Sequence, residues 1–158
     1  MPENKFAENR YLLLQVFDFC RITTQMQDNS RYRVFIVDDH PVVRDGLKNL
    51  IEQEEDLVVC GEAADGAEAI QKYRQLRPDL LVVDVSMPVM NGLDASLEIL
   101  KLSPQILILL YTSFLTRQLI EAAHQSGIRG TVSKDSAELL VVGVEALLRG
   151  EEFSGPAN

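Results

Sequence analysis

Two apolar runs in this chain end in carboxylates. Val34-Phe35-Ile36-Val37 leads into Asp38-Asp39, and Leu80-Leu81-Val82-Val83 leads into Asp84 and then Val85-Ser86-Met87-Pro88-Val89-Met90-Asn91-Gly92. An acid at the tip of a buried strand is costly unless something uses its charge. In open α/β sheets that position faces the crevice beyond the carboxyl ends of the strands, where ligands bind. Two further strand candidates end in Thr112 and in Ser133-Lys134. Carboxylates drawn together raise one another's pKa values unless a cation neutralises them. A few hard oxygen donors with open coordination positions favour Mg2+, which keeps waters and takes phosphate oxygens as partners. A lysine point charge and a threonine hydroxyl facing the same site suit a bound phosphoryl group. Each residue alone has a plainer use: an Asp after a strand is most often a helix N-cap, and a lone surface lysine is usually just solvated. Their recurrence at the ends of the first, third, fourth and fifth strands argues for one shared site.

The elements that must position these residues alternate from residue 33 onward. Strand candidates are Arg33–Val37, Leu57–Gly61, Leu80–Val83, Ile106–Tyr111 and Arg129–Val132. Three of them are continuous apolar runs, the pattern of parallel strands covered on both faces. Between them, Val43, Leu47, Leu50 and Ile51 line one helix face, as do Leu140, Val144, Leu147 and Leu148 in the last helix. Leu93, Leu97 and Leu100 do so more briefly. Pro41 suits a first helical turn. Asp65-Gly66-Ala67-Glu68 and Asp135-Ser136-Ala137-Glu138 each set an N-cap candidate three residues before a Glu. Gly127 and Gly150 fall where helices should end. Alternating strands and helices with short connections imply a doubly wound α/β fold, a five-stranded parallel sheet with helices on both faces.

Residues 1–31 lie outside this alternation and read as an extension, helical at about residues 5–25. Leu12, Val16 and Phe19 form one stripe and Leu13, Phe17 and Cys20 the next, a wide apolar face expected to dock on the domain or to pair two copies as a homodimer. Met26 is an alternative start, so the extension is either a genuine addition or an over-long reading frame. The chain carries a net charge of −9, and since residues 1–33 hold +1, the remainder holds −10. So acidic a domain repels the phosphates it would have to neutralise, which argues against direct nucleic-acid binding. Cys20 and Cys60 have no metal-type spacing and read as reduced thiols. No signal peptide is visible, and the apolar stretch at Tyr11–Ile22 is too short for a bilayer. The expected location is the cytoplasm, without membrane attachment.

Val37-Asp38-Asp39-His40-Pro41, the Asp84–Gly92 segment, Tyr111-Thr112-Ser113 and Ser133-Lys134-Asp135 together resemble the receiver domain of bacterial two-component response regulators. The Asp-Asp-His-Pro start and the Lys-Asp pair are most similar to the NarL/FixJ (LuxR-type) branch. The resemblance covers about residues 32–153, leaving 154–158 as a tail or the start of a linker. It implies a flavodoxin-like (CheY-like) sheet of strand order 2-1-3-4-5. It further implies that Asp84 accepts a phosphoryl group from a phosphohistidine of a kinase or phosphotransfer protein. Asp39 would bind Mg2+ directly, Asp38 largely through water, and the Ser86 backbone carbonyl would complete the protein's share. Lys134 would pair with the phosphoryl oxygens, and Thr112 would swing in to hydrogen-bond them, shifting the face around the fourth helix and fifth strand. Such a domain is not an enzyme beyond its own phosphorylation and dephosphorylation, and its setting is transcription regulation. His40 is expected to shape the helix start, and His124 to sit at or near the surface.

Two departures from the family pattern stand out. The position three residues before Lys134 usually holds Tyr or Phe as a rotating reporter, and here it is Thr131, with Tyr111 or Phe114 as substitutes. Phe114, two residues past Thr112, is placed to screen a phosphoryl group from water and slow its loss. The branch normally continues past Arg149-Gly150-Glu151-Glu152-Phe153 into a linker and a DNA-binding helix-turn-helix, whereas this sequence stops at Asn158. Either a stand-alone receiver or, more in keeping with Glu151–Asn158, a fragment is expected. The rival reading is a receiver-like scaffold or dimerisation module in which phosphorylation is secondary. A Mg2+-dependent phosphatase would want a second acid where Ser86 stands.

Overall fold

A computed structural model of the chain describes residues 31–158, so the helix expected in the first 30 residues lies outside the described part. From Arg31 onward the chain alternates strand and helix. The elements are β1 (Tyr32–Val37), α1 (Pro41–Ile51), β2 (Leu57–Ala63), α2 (Gly66–Leu76), β3 (Leu80–Val83), α3 (Gly92–Leu102), β4 (Leu107–Thr112), α4 (Arg117–Gln125), β5 (Gly130–Ser133), α5 (Leu139–Leu148) and β6 (Phe153–Ser154). The sheet order is β2-β1-β3-β4-β5-β6 and every pairing is parallel. The first five strands therefore follow the implied order.

Strand periodicity divides the core into two layers. Val34, Ile36, Leu80, Val82, Leu109, Tyr111 and Val132 face α1 and α5, where Leu47, Ile51, Leu140, Val144 and Leu147 meet them. The alternate residues Phe35, Val37, Leu81, Val83, Ile108 and Leu110 face α2, α3 and α4. Burying a side chain of this size contributes about 1.5–3 kcal/mol each. Because both faces are covered, β3 is apolar throughout and so is the buried stretch Val34–Val37 of β1, with Thr131 in β5 the polar exception. The polar residues are pushed to the strand tips.

Caps fix where the helices begin on that rim. Asp65 Oδ1 accepts from the Glu68 N–H at 2.9 Å while Glu68 Oε2 accepts from the Ala64 N–H at 2.7 Å, a reciprocal cap that holds α2. Asn91 Oδ1 accepts from the Asp94 N–H at 2.8 Å and starts α3, and Thr116 starts α4 in the same way at 3.2 Å. The expected cap at Asp135 is not formed. Ser133 Oγ instead accepts from the Asp135 N–H at 3.2 Å, a short 3-10 turn spans Lys134–Ser136, and α5 begins only at Leu139.

The sheet also has one strand more than expected. Gly150, at φ +82°, ends α5 and reverses the chain, and Phe153–Ser154 then runs parallel to Gly130–Thr131. Phe153 packs onto the α1–α5 layer, which gives this two-residue strand its anchor. The residues after it stay on the sheet, with Gly155 N–H donating to Thr131 O at 2.8 Å and Asn158 N–H to Leu115 O at 2.8 Å.

Candidate functional site

β1 and β3 are neighbours, so Asp38 and Asp84 emerge side by side. Asp84 N–H donates to Val37 O at 2.8 Å, locking the two tips together. Both side chains are almost fully enclosed, at 1% exposed for Asp38 and 3% for Asp84. Lys134, carried by the 3-10 turn after β5, reaches across β4 to both of them. Its Nζ lies 2.6 Å from Asp38 Oδ2 and 3.2 Å from Asp84 Oδ2. Each carboxylate also accepts one backbone donor. His40 N–H meets Asp38 Oδ1 at 2.8 Å, and Ser86 N–H meets Asp84 Oδ1 at 3.2 Å. Arg44 supports the loop from behind, donating to the Asp38 carbonyl at 2.8 Å while its Nε pairs with Glu62 on β2 at 3.0 Å.

The electrostatics follow from enclosure. Burial pushes the Asp84 carboxyl above its ordinary value despite the opposing charge of Lys134 and the Ser86 N–H. Burial alone would lower Lys134, but its hydrogen bond to Asp38 and the charges of Asp84 and Asp38 outweigh that and leave it raised. Tyr111, raised by burial, lies under the ammonium with Lys134 Nζ 5.8 Å from its ring centroid. The site thus holds one firmly protonated cation against Asp84, whose ionisation burial disfavours.

Asp39 completes the cluster from the rim. Its Oδ1 is buried and has no hydrogen-bond partner; His40 Nδ1 comes within 3.0 Å but without hydrogen-bond alignment. Asp38, Asp39, His40 and Asp84 each offer a ligand atom, all within 4.8 Å of one another. An orphaned carboxylate oxygen beside two buried carboxylates is a donor set that fits a hard divalent cation. His40 stands at the N-cap of α1, as the sequence suggests, and also joins the cluster, which its position next to Asp38-Asp39 signals.

Two of the expected site residues stand slightly apart. Thr112 is fully buried at the end of β4, and its Oγ1 accepts from the Phe114 N–H at 3.4 Å rather than touching an acid or Lys134. Ser86 is exposed and meets Asp84 through its N–H. Gly92, quoted in the sequence only as the end of the Asp84–Gly92 segment, is the tightest glycine, because a Cβ built there would lie 1.8 Å from the Asp84 carbonyl oxygen. Thr131 is buried and its hydroxyl has no partner, whereas Phe114 is 75% exposed beside the pocket loops.

A family model described as the response regulator receiver domain matches residues 34–143. The chain belongs to that family. The receiver is 34% identical over 125 residues to the transcriptional regulatory protein YxjL of Bacillus subtilis, a match covering 78% of this chain and 57% of that one. It is 37% identical over 125 residues to the response regulator protein VraR of Staphylococcus aureus, covering 78% and 60%. The chain therefore spans 57–60% of the length of these curated relatives. A solved LuxR-family two-component response regulator from Aurantimonas sp. superposes with a TM-score of 0.77 at 35% identity, covering 80% of this receiver and 91% of that chain. The non-phosphorylated receiver domain of the stress response regulator RcsB from Escherichia coli gives 0.74 at 29% identity, covering 80% and 99%. These LuxR-type matches agree with the NarL/FixJ branch. Among the described residues no helix is long and apolar enough to cross a membrane.

Proposed function

We propose that this receiver, taken as residues 32–153, accepts a phosphoryl group on Asp84 from the phosphohistidine of a kinase or phosphotransfer protein. An Asp84 carboxylate oxygen attacks phosphorus, the P–N bond of the phosphohistidine breaks, and the imidazole leaves with the bonding pair and takes up a proton. The observation that carries this reading is the Lys134 ammonium held 2.6 and 3.2 Å from two buried carboxylates, one of which stands at the head of the Asp84–Gly92 loop. Lys134 is already where phosphoryl oxygens on Asp84 would need a cation. Thr112 offers a hydroxyl proton from the next strand. Asp38, Asp39, Asp84 and the Ser86 carbonyl would hold Mg2+, with His40 beside them; when bound, the ion offsets charge on the transferred group. Turnover is limited to loss of the phosphoryl group, so the domain is a signalling element rather than an enzyme. It works in the cytoplasm in transcription regulation, and its acidic surface leaves DNA contact to other parts of such regulators.

The test is incubation with a small phosphodonor and Mg2+, followed by intact mass. The chain gains one phosphoryl group, Asp84→Asn gains none, and an unlabelled native chain would favour the scaffold reading. The same variant has a second signature. Because folding raises the Asp84 pKa above 3.8, ionised Asp84 lowers stability as pH climbs through the folded value. Asp84→Asn removes that cost, so it should stabilise the fold at pH 7 and leave it unchanged below the ordinary carboxylate pKa. Denaturation midpoints at pH 3.5 and 7 report it.

Phe114 sets how long the label lasts. Its side chain is 75% exposed, two residues past Thr112, and an apolar ring at that place would screen a phosphoryl group on Asp84 from water. Phe114→Asn admits a polar group there and should shorten the phosphoryl lifetime about tenfold, ~1.4 kcal/mol in barrier. An unchanged decay would remove Phe114 from the account.

A further inference from the structure

The chain after α5 does not leave the domain. Glu152 Oε2 sits 2.8 Å from His124 Nε2 on α4. Phe153 N–H then donates to Arg129 O at 2.9 Å, and Gly155 N–H to Thr131 O at 2.8 Å. Since β6 is parallel to β5, the chain leaving it must travel toward the rim that carries Asp84, Thr112 and Lys134. There Asn158 makes three bonds. Its N–H donates to Leu115 O at 2.8 Å, and its Nδ2 donates to Ser113 O and to Asp135 Oδ2, both at 2.9 Å. Ser113 and Leu115 follow Thr112, while Asp135 follows Lys134. One amide group therefore spans the two loops that bring a hydroxyl and a cation to the pocket.

We propose that residues 152–158 form a strap that reads the charge of the pocket, with Asn158 as the positioning residue that ties the Thr112 loop to the Lys134 turn. The inference rests on Asp84 being the phosphoacceptor. A phosphoryl group adds a charge of about −1.5 to −2 and three acceptor oxygens. Lys134, now divided between Asp38 and Asp84, is drawn toward the new anion, and Asp135 moves with it because both belong to one three-residue turn. The Thr112 hydroxyl only accepts, through a long 3.4 Å contact, so its proton is available to the phosphoryl oxygens. Any such shift changes the spacing of the two acceptors that a single planar NH2 group must reach. The strap thus fits the unmodified pocket better than the modified one. The strap beyond Gly155 borders an open groove of about 620 Å³ that it lines together with Thr116–Gln118, which gives it room to shift once the Asn158 bonds are strained. Coupling is reciprocal, so loosening the strap must favour the phosphorylated state by the same factor.

The experiment uses beryllofluoride with Mg2+ as a phosphoryl mimic on the whole chain and on Asn158→Ala, with hydrogen exchange and a binding titration. Beryllofluoride should speed exchange at the Gly155 and Asn158 amides, and Asn158→Ala should bind it about fivefold tighter, with the lost tether lowering the melting temperature of the unliganded protein by a few degrees. Saturation by beryllofluoride with unaltered exchange and equal affinity would overturn the strap while leaving the pocket reading intact. Slower exchange, or weaker binding by the variant, overturns it as well by reversing the coupling. A lower melting temperature with equal affinity gives Asn158 a purely structural part and likewise overturns the proposal. If neither chain binds beryllofluoride, the phosphoacceptor reading itself fails, and that outcome is distinguishable from all the others.

Discussion

Lys134→Ala should cost about 3–5 kcal/mol of stability at pH 7 without divalent cations, the usual effect of removing one partner from a buried ion pair. Distance does not decide this; burial does. Lys101 Nζ lies 2.6 Å from Glu98 Oε1, as close as Lys134 is to Asp38, but those side chains are 70% and 49% exposed against 16% and 1%. Loss of the exposed pair should cost about 0.5 kcal/mol or less. With Lys134 gone, Asp84 loses the main influence holding its pKa down, so its folded value rises further. The variant should therefore weaken as pH rises through that value toward neutrality. The native contribution of Lys134 runs the other way along the scale. Its pKa is raised above 10.5, so its stabilisation is complete below that value and is lost as pH climbs through the folded pKa. Native and variant stabilities should converge in strong alkali. Mg2+ should restore about 2.7 kcal/mol at a hundredfold excess over its dissociation constant. Urea unfolding with and without Mg2+ measures all of this; a variant within about 1 kcal/mol of native at pH 7 would show that the two acids need no resident cation.

Gly92→Ala should be at least as damaging, for a reason that involves no charge. The added Cβ would stand 1.8 Å from the Asp84 carbonyl oxygen and 2.7 Å from its carbonyl carbon. Both are backbone atoms, so no side-chain rotation relieves the clash. Either the first turn of α3 retreats, loosening the Asn91 cap, or the Asp84 backbone shifts and breaks its 2.8 Å bond to Val37 O. About 3 kcal/mol or more should be lost, in the range of severe single substitutions. Phosphoryl labelling should fall even in molecules that still fold. Gly46→Ala supplies the control, since a Cβ at this exposed helical position meets nothing within 4 Å. It should stabilise by up to about 1 kcal/mol through helix propensity alone. Thermal melts of the two variants moving in the same direction would contradict the steric account.

The contrast between those glycines shows where sequence reading succeeds and stops. The strands were legible because a doubly covered parallel strand is an unbroken apolar run, and the pocket because all the polar chemistry is forced to strand ends. Asp38, Asp84 and Lys134 could be grouped before any distance was known. Gly92 could not be ranked above Gly46, because its importance comes from a backbone eight residues earlier folding back to touch it. β6 escaped notice since two residues show no period, and its pairing depends on the Gly150 reversal and on Phe153 finding the core. At the start of α5, two capping patterns competed within three residues, and the Ser133 hydroxyl prevailed over the Asp135 carboxylate. The orphaned Thr131 hydroxyl is a fact of packing that composition cannot show.

Pro156 gives the short sixth strand a consequence for assembly. A sheet edge is a template on which another chain can add, and long open edges invite uncontrolled association. Here the Arg129 and Thr131 carbonyls on the outer side of β5 are already occupied by Phe153 and Gly155. The covering strand offers a newcomer only two residues, and the proline two positions later has no N–H to extend the ladder. Copies of this domain are thereby steered away from edge-to-edge stacking on that side, so crowding in solution need not lead to fibres.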